Sequence, residues 1–351
     1  MIKFIVSCLL LLAVVSSAGL FILGLTVPQL PTSAAGFFDN TRAFFDRLTI
    51  TETEKSTVVF VGDIMLARNV EQLMIREGGG YPFALFEELS PYAAIVGNFE
   101  ASVPKAHTPT PVRQLAFSVP STSLPYLYQA PVTHVSLANN HTDDFGSTSY
   151  KDTLRALDEV GFNTFGRPDA VSRGSVSYIQ LDEGVLGLIG IHTLGQELDF
   201  EVIGEQVEVL RAASDITVAY VHWGEEYAPT HSQRQREVAE TLVNLGVDLI
   251  IGHHPHVVQD IEIYKGSLIF YSLGNFIFDQ YFSDEVQHGL WLELTFSDDE
   301  RSVRLRPVTS VETPSQPQFM SESEAEMFLK DLAQRSDLGL QTQIMTGILS
   351  L

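Results

Sequence analysis

A group of histidines directly after an apolar segment constrains this chain more than any other feature. Residues 247–251 are largely apolar and are typical of a buried strand that ends at Gly252. The positions that follow hold His253, His254 and His256. Pro255 has a restricted φ, so it fixes the relation between the two imidazoles on either side of it. A single histidine in a turn indicates no metal site, but three beside further candidate ligands predict one.

Four earlier apolar segments follow the same plan, since each ends in polar side chains. The residues at these ends are Asp63, Asn98 with Glu100, Asn140 with His141, and His222. Segments with helical periodicity lie between several of them, which predicts an α/β fold whose strand ends meet at one edge. Carboxylate, amide and imidazole donors together suit two first-row divalent ions. Turn chemistry explains asparagine and aspartate at such ends, but not histidine at three of the five.

Length and charge narrow the class of protein. The 351 residues leave room for one large domain or two small ones, and 45% hydrophobic residues suffice for a core. The formal net charge is −23, so a nucleic-acid backbone or an anionic lipid surface would be repelled. We therefore expect no nucleic-acid partner. Bound divalent ions can still reverse the sign of the charge locally and admit an anionic substrate.

The N-terminal segment predicts attachment to a membrane. Residues 4–27 contain no charged side chain and are long enough to cross a bilayer, which needs about 20 apolar residues. We interpret residues 1–28 as a signal anchor and residues 29–55 as a juxtamembrane linker. Lys3 favours an N-inside orientation, which would place the rest of this single-pass protein on the extracytoplasmic side of the cell membrane. The alternative is a cleaved signal and a secreted domain.

Six short motifs occur in an order that resembles a known family. They are VGDIM, GNFE, NNHTDD, HWGEEY, GHHPHVVQ and SLGNFIFD. In this order they resemble the bacterial poly-γ-glutamate capsule synthesis proteins of the CapA/PgsA type, a branch of the calcineurin-like metallophosphoesterases. The resemblance covers Thr57 to Asp279 and implies a four-layer α-β-β-α sandwich, with two mixed sheets face to face and a dinuclear site at the strand ends. We expect this domain over residues 56–310 and a C-terminal tail over residues 311–351, with one helix near 321–335.

The resemblance also implies roles for individual residues. The implied metal ligands, for two divalent ions of the Mn, Fe or Zn class, are Asp63, Glu100, Asn140, His222, His254 and His256. His141 would donate a proton to the leaving group. Glu225 lies three residues after His222, where it would orient that imidazole or act as a base. The residues expected to contact the substrate are Asn98, Asn275 and Asp279.

Two positions depart from the metallophosphoesterase pattern. Met65 stands where the superfamily carries a histidine two residues after the first aspartate, and a thioether donates weakly to hard ions. Asn98 stands where a bridging aspartate is expected, and Glu100 is the nearest carboxylate able to replace it. We therefore expect one metal position to bind less tightly and the turnover of plain phosphodiesters to be poor.

These features favour one function over two alternatives. The favoured function is a membrane-anchored component of poly-γ-glutamate synthesis or export with a metal-dependent, hydrolase-like domain. Its expected partners are poly-γ-glutamate or another anionic polymer, the membrane, and membrane-bound polyglutamate synthase subunits. One alternative is a cell-surface metallophosphodiesterase or nucleotidase, and the other is a catalytically silent scaffold that holds the polymer. The sequence leaves open whether the bond attacked is a phosphoester or a γ-glutamyl amide.

Overall fold

The computed structural model describes residues 56–85, 92–296 and 301–351. They all fall within the unit Thr53–Leu351. The signal anchor and the linker predicted for residues 1–55 lie outside the described residues. None of the helices in the described ranges is both long enough and apolar enough to span a membrane.

The described ranges contain fifteen β-strands and seven α-helices. The strands are β1 Thr57–Ile64, β2 Ala94–Phe99, β3 Val132–Ser136, β4 Asn163–Phe165, β5 Val176–Leu181, β6 Gly184–His192, β7 Ile216–His222, β8 Leu249–His253, β9 Ile261–Tyr264, β10 Ser267–Phe270, β11 Asn275–Ile277, β12 His288–Phe296, β13 Arg301–Thr309, β14 Gln318–Phe319 and β15 Ile348–Ser350. The helices are α1 Arg68–Glu77, α2 Leu124–Gln129, α3 Gly146–Val160, α4 Phe200–Arg211, α5 Gln233–Leu245, α6 Glu322–Arg335 and α7 Gln341–Thr346. Helices separate most of the strands before β9, which is the pattern that the apolar segments predict.

The strands form two sheets. In the first sheet the order is β14-β13-β12-β1-β2-β3-β4, while β11 pairs with β1 and β15 pairs with β13. In the second sheet the order is β5-β6-β7-β8-β10-β9. Strands β1 to β4 run parallel to one another, as do β6, β7, β8 and β10. The carboxyl ends of these strands therefore gather along one edge of each sheet.

Side chains that alternate between the two faces of each strand build three apolar clusters. From β1, Val58 and Phe60 join Val218 of the second sheet in a core between the sheets. Val59 and Val61 of the same strand face the other way and pack with α1, α2 and α3. Helices α4 and α5 cover the outer face of the second sheet. The expected α/β fold with two mixed sheets is confirmed.

The C-terminal segment packs against the sheets. Strands β14 and β15 both pair with β13. Helix α6 occupies the place predicted for a helix near residues 321–335. Its Leu329 and Leu332 are buried in the core between the sheets, together with Ile344 of α7. Residues 318–351 therefore pack against the first sheet and the core between the sheets.

Two glycines allow chain segments to approach closely at the edge where the strand ends gather. A Cβ atom on Gly62 would lie 2.0 Å from the carbonyl oxygen of Gly274, and one on Gly252 would lie 2.0 Å from that of Tyr271. No side chain fits at such distances. The first approach brings the segment that leads into β11 next to the end of β1, and the second brings the segment after β10 next to the end of β8.

Candidate metal centre

The register of the two sheets brings the predicted residues together. Asp63 of β1 lies opposite Asn98 of β2 on one side and opposite Asn275 of β11 on the other. In the second sheet, His222 at the end of β7 lies opposite His253 at the end of β8. The edges of the two sheets are in contact here, as the distance of 3.2 Å between Asp63 Oδ1 and His253 Nδ1 shows. Residues that are distant in the sequence thus form one site.

Asp63 is fully buried at the centre of this site. Its carboxylate accepts hydrogen bonds from Asn98 Nδ2 at 2.8 Å and from the backbone N–H of His254 at 3.3 Å. Its Oδ2 atom also lies 3.3 Å from His256 Nδ1. Burial by itself raises the pKa of Asp63, but hydrogen bonds and charges of His253 and His256 outweigh burial and hold that pKa well below its usual range. Asp63 is therefore an anion at neutral pH.

Glu100 is a second fully buried carboxyl group, and it is incompletely satisfied by the protein. Burial raises the pKa of Glu100 to about 7. Its Oε1 atom has no hydrogen-bond partner among the described residues. That atom lies 3.7 Å from His256 Nε2 and 3.8 Å from His141 Nε2. A buried oxygen without a partner is costly unless a ligand satisfies it, and the carboxylates and imidazoles around it are donors that fit a divalent cation.

Two groups of side chains have the spacing of metal ligands. The groups are Asp63 with Glu100 and His256, and Glu226 with His254 and His256. Within each group the ligand atoms lie within 4.8 Å of one another. Glu225 is predicted to orient His222 or to act as a base, but its neighbour Glu226 is the carboxylate grouped with the two histidines. Both glutamates are exposed, so Glu226 lies at the solvent side of the site.

His254 and His256 differ in charge. Burial lowers the pKa of His254 to about 4, and the charge of His256 adds to this effect. The Nδ1 atom of His254 is buried and has no hydrogen-bond partner in the described part of the chain, so this neutral ring has a nitrogen available to a ligand. Burial also acts to lower the pKa of His256, but Glu100 and Asp63 outweigh burial and raise that pKa to about 9. Both histidines have positive φ, +96° and +58°, a strained conformation that clusters at functional sites.

His141 is oriented by a carboxylate. Its Nδ1 atom lies 3.0 Å from Asp144 Oδ2, and because a carboxylate only accepts, Nδ1 carries a proton. The Nε2 atom then faces Glu100. Asn140 links this imidazole to the second sheet, since its Oδ1 atom lies 2.8 Å from His222 Nε2 and its Nδ2 atom lies 3.2 Å from His141 Nε2. The arrangement is that of an imidazole held ready to transfer a proton.

Asn98 forms hydrogen bonds to the two buried carboxyl groups of the site. The residue is 1% exposed, and its Nδ2 atom donates both to Asp63 and to Glu100 Oε2, the latter at 3.2 Å. Its Oδ1 atom accepts from Asn139 Nδ2 at 3.0 Å. Burial lowers the pKa of His222 well below its usual range, so His222 is neutral beside Asn98. Asn98 is therefore bonded to both carboxylates, and its predicted contact with the substrate stays a prediction.

The other two residues predicted to contact the substrate are also bonded within the protein. Asn275 Oδ1 lies 2.9 Å from His256 Nδ1, and its Nδ2 atom donates to a backbone carbonyl. Asp279 accepts a hydrogen bond of 3.2 Å from the backbone N–H of Asn69 and forms a buried ion pair with Arg68. Burial raises the pKa of Asp279 despite this ion pair. Both residues thus hold other parts of the site in place.

Met65 and His192 are two further residues near the predicted ligands. Met65 is fully buried in the cluster on the helix side of the first sheet, and its sulfur accepts a hydrogen bond of 3.0 Å from the N–H of Ala67. It is therefore a residue of this core. His192 ends β6 opposite His222, and its Nε2 atom is buried without a partner in the described ranges. The signal was available, because His192 follows an apolar strand just as His222 does.

Known proteins share sequence with most of this chain. The capsule biosynthesis protein CapA of Bacillus anthracis is 33% identical over 254 residues, which cover 65% of this chain and 61% of that protein. The PGA biosynthesis protein CapA of Bacillus subtilis (strain 168) is 32% identical over 240 residues, which cover 63% of each. The chain thus spans about three fifths of the length of these relatives. Among solved structures, a phosphatase from Mycoplasma pneumoniae is 13% identical, with a TM-score of 0.42 over 75% of this chain and 92% of that one.

A family model covers the part of the chain that carries the site. The model of the bacterial capsule synthesis protein PGA_cap matches residues 57–280. This range begins with β1 and ends just after Asp279, so it contains each of the predicted ligands and their supporting residues. The match extends over more than half of the chain. This chain therefore belongs to the bacterial capsule synthesis protein family PGA_cap.

Proposed function

We propose that this chain is a cell-envelope component of poly-γ-glutamate capsule synthesis or export, and that residues 56–351 form a metal-dependent hydrolase directed at the polymer. The observation that carries the proposal is the buried group of Asp63, Glu100 and His256 in a member of a capsule synthesis family. One oxygen of Glu100 in this group has no partner among the described residues. A buried carboxylate oxygen without a partner favours cation binding over a purely structural role for this group.

The donors fit two adjoining metal positions. The first ion would be held by Asp63, Glu100 and His256, and the second by Glu226, His254 and the neighbouring pair Asn140 and His222. Ions of the Mn, Fe or Zn class accept this mixture of oxygen and nitrogen ligands. When bound, they would activate a water molecule and polarise the bond under attack.

His141 supplies the proton that the leaving group needs. Asp144 fixes the ring, and Nε2 lies on the side of Glu100 and therefore of the proposed first ion. If the bond is a γ-glutamyl amide, a C–O bond to the attacking water would form as the C–N bond breaks. The leaving nitrogen would take its proton from the protonated imidazole of His141, and the proton released by the water would restore that imidazole. Glu226 lies at the solvent side, where it would also limit the approach of substrate carboxylates that no cation has neutralised.

The family and the names of its Bacillus members support a location in the cell envelope. Residues 1–28 would anchor the protein and residues 29–55 would link the anchor to the domain on the extracytoplasmic side. The proposed partners are poly-γ-glutamate or a similar anionic polymer and membrane-bound synthase subunits. Divalent ions would reconcile such a polymer with a chain of net charge −23.

Turnover of two substrates by the purified full chain tests the proposal. With Mn²⁺ or Zn²⁺ added, we expect cleavage of γ-linked oligoglutamate to exceed cleavage of a generic phosphodiester such as bis-p-nitrophenyl phosphate. His141→Gln should lower kcat by roughly 10²- to 10⁴-fold, the usual contribution of a positioned acid. His288→Gln, which changes a histidine outside both ligand groups, should leave kcat unchanged.

Other outcomes would replace the proposal. Efficient turnover of the phosphodiester without cleavage of oligoglutamate would identify a metallophosphodiesterase. Metal binding without turnover of either substrate would identify a scaffold that holds the polymer.

A further inference from the structure

Arg68 is a buried arginine at the edge of the candidate metal centre. Its side chain is 9% exposed and forms an ion pair with Asp279, whose side chain is 1% exposed. The Nε atom of Arg68 is buried and has no hydrogen-bond partner among the described residues. Arg68 begins α1 with φ of +53°, a left-handed conformation that residues other than glycine rarely adopt. A charge that is buried in a strained conformation requires an explanation.

The guanidinium of Arg68 lies over two aromatic rings. Its Cζ atom is 4.5 Å from the ring centroid of Phe117 and 5.8 Å from that of Phe278. The two rings meet edge to face with their centroids 6.0 Å apart. A planar guanidinium is suited to such stacking in a way that a lysine ammonium is not.

Each of these rings contacts one histidine of the site. Phe117 stacks on His141 with the centroids 4.0 Å apart, and the backbone N–H of Phe117 donates to Asp144, the residue that orients His141. Phe278 packs on His256 with the centroids 4.6 Å apart. A continuous series of contacts therefore runs from Arg68 to both histidines.

Arg68 also joins three segments that are far apart in the sequence. It follows β1, its Nη1 atom lies 3.5 Å from the carbonyl oxygen of Gln114, and it pairs with Asp279 after β11. A buried ion pair contributes little net stability, because the loss of hydration offsets the attraction between the charges. The burial of Arg68 is therefore better explained by the geometry that the ion pair fixes than by the stability that the ion pair adds.

We propose that Arg68 is a positioning residue of the site: held by Asp279, its guanidinium fixes the rings of Phe117 and Phe278 and so sets the orientations of His141 and His256. The inference rests on the proposed function for what the two histidines do. The positioning itself belongs to the protein without substrate or metal, so it can be measured separately.

Histidine NMR of the metal-free full chain tests this inference. With the Cε1 positions of histidine labelled with ¹³C, the variant Arg68→Met keeps the length of the side chain but removes its charge and its planar fork. We expect the resonances of His141 and His256 to shift, because the ring currents of Phe117 and Phe278 move. Arg68→Lys should restore the wild-type positions only in part. The resonance of His231, which stacks on Tyr271, should stay in place.

Arg76→Met is the matched control, since Arg76 lies on the same helix with a side chain 67% exposed. It should leave all histidine resonances unchanged. Unchanged His141 and His256 resonances in Arg68→Met would overturn the inference, as would equal shifts of every histidine. If Arg68→Met does not fold, Asp279→Asn decides: shifts confined to His141 and His256 support the inference, and none overturns it.

Kinetics give a second readout if hydrolysis is found. Arg68→Met should then lower kcat at least tenfold with little change in KM, because orientation of His141 matters in the transition state. An unchanged kcat would overturn the inference. A failure to find any turnover would count against the proposed function alone, since the NMR result does not depend on it.

Discussion

Asp63 and Glu100 are both fully buried, yet their pKa values change in opposite directions. Hydrogen bonds from His253 and His256 overcome the effect of burial on Asp63 and lower its pKa, whereas burial prevails at Glu100 and raises its pKa to about 7. A cation beside both carboxyl groups would favour the ionised form of each. At the scale of residues, the protein itself supplies hydrogen bonds to the carboxylate of Asp63, whereas it leaves Glu100 Oε1 available to a cation.

At this scale, the position of Met65 in the structure changes the expected effect of the substitution Met65→His. From the sequence, Met65→His is expected to restore a ligand and tighten metal binding. In the structure the side chain lies in the apolar cluster under the helices. We expect Met65→His to leave metal affinity unchanged and to lower the free energy of unfolding by roughly 2–4 kcal/mol, because a polar imidazole would be buried among apolar side chains.

Urea unfolding and a metal titration of the same samples check this expectation. Met65→Leu is the control, since it removes the sulfur acceptor but adds no polar group, and it should cost less than about 1.5 kcal/mol. A tighter metal affinity in Met65→His would show that the side chain reaches the site after all.

Residue types and their positions at strand ends suffice to predict most of the candidate ligands, but they do not predict the residues that orient these ligands. Histidines and carboxylates at strand ends predict Asp63, Glu100 and His256 without a structure. Whether Glu225 or Glu226 turns inward depends on the loop conformation, which the sequence does not reveal. Likewise, the sequence does not reveal that Asn275 lies beside His256, and its contact with the substrate stays a prediction.

At the scale of elements, the pairing of short strands decides the geometry of the site. Strand β11 has three residues and pairs with β1, and this pairing sets Asn275 beside Asp63. Apolar patterns predict the long strands β1, β7 and β8 and the polar residues that follow them. They do not predict which distant strand a three-residue segment joins, because that choice depends on close packing such as the contact of Gly62 with Gly274.

Gly252→Ala tests the importance of this close packing. The added Cβ atom would lie 2.0 Å from the carbonyl oxygen of Tyr271 and 2.5 Å from Nε1 of Trp223. We expect a loss of about 1–3 kcal/mol in the free energy of unfolding, measured in urea, and weaker metal binding because β8 would shift and carry its histidines with it. Gly80→Ala has open space around it and should change neither quantity. Wild-type stability in Gly252→Ala would show that the edge is more adaptable than the structure implies.

At the scale of the whole molecule, the proposed anchor predicts that the domain stays attached to the membrane on its extracytoplasmic side. If residues 4–27 stay attached, protease added to spheroplasts should remove the domain while a tag placed before Lys3 survives. Immunoblots against the tag and the domain distinguish the two fragments. Release of a free, intact domain into the medium would show that the segment is a cleaved signal.

The whole-molecule account depends most on metal binding by the two groups that share His256. We would measure divalent metal per protein by mass spectrometry after gel filtration, for the wild type, for the double variant His254→Ala/His256→Ala and for the control His288→Ala. The account predicts bound metal in the wild type and the control and little or none in the double variant, because both groups lose ligands. Equal metal content in the wild type and the double variant would contradict it.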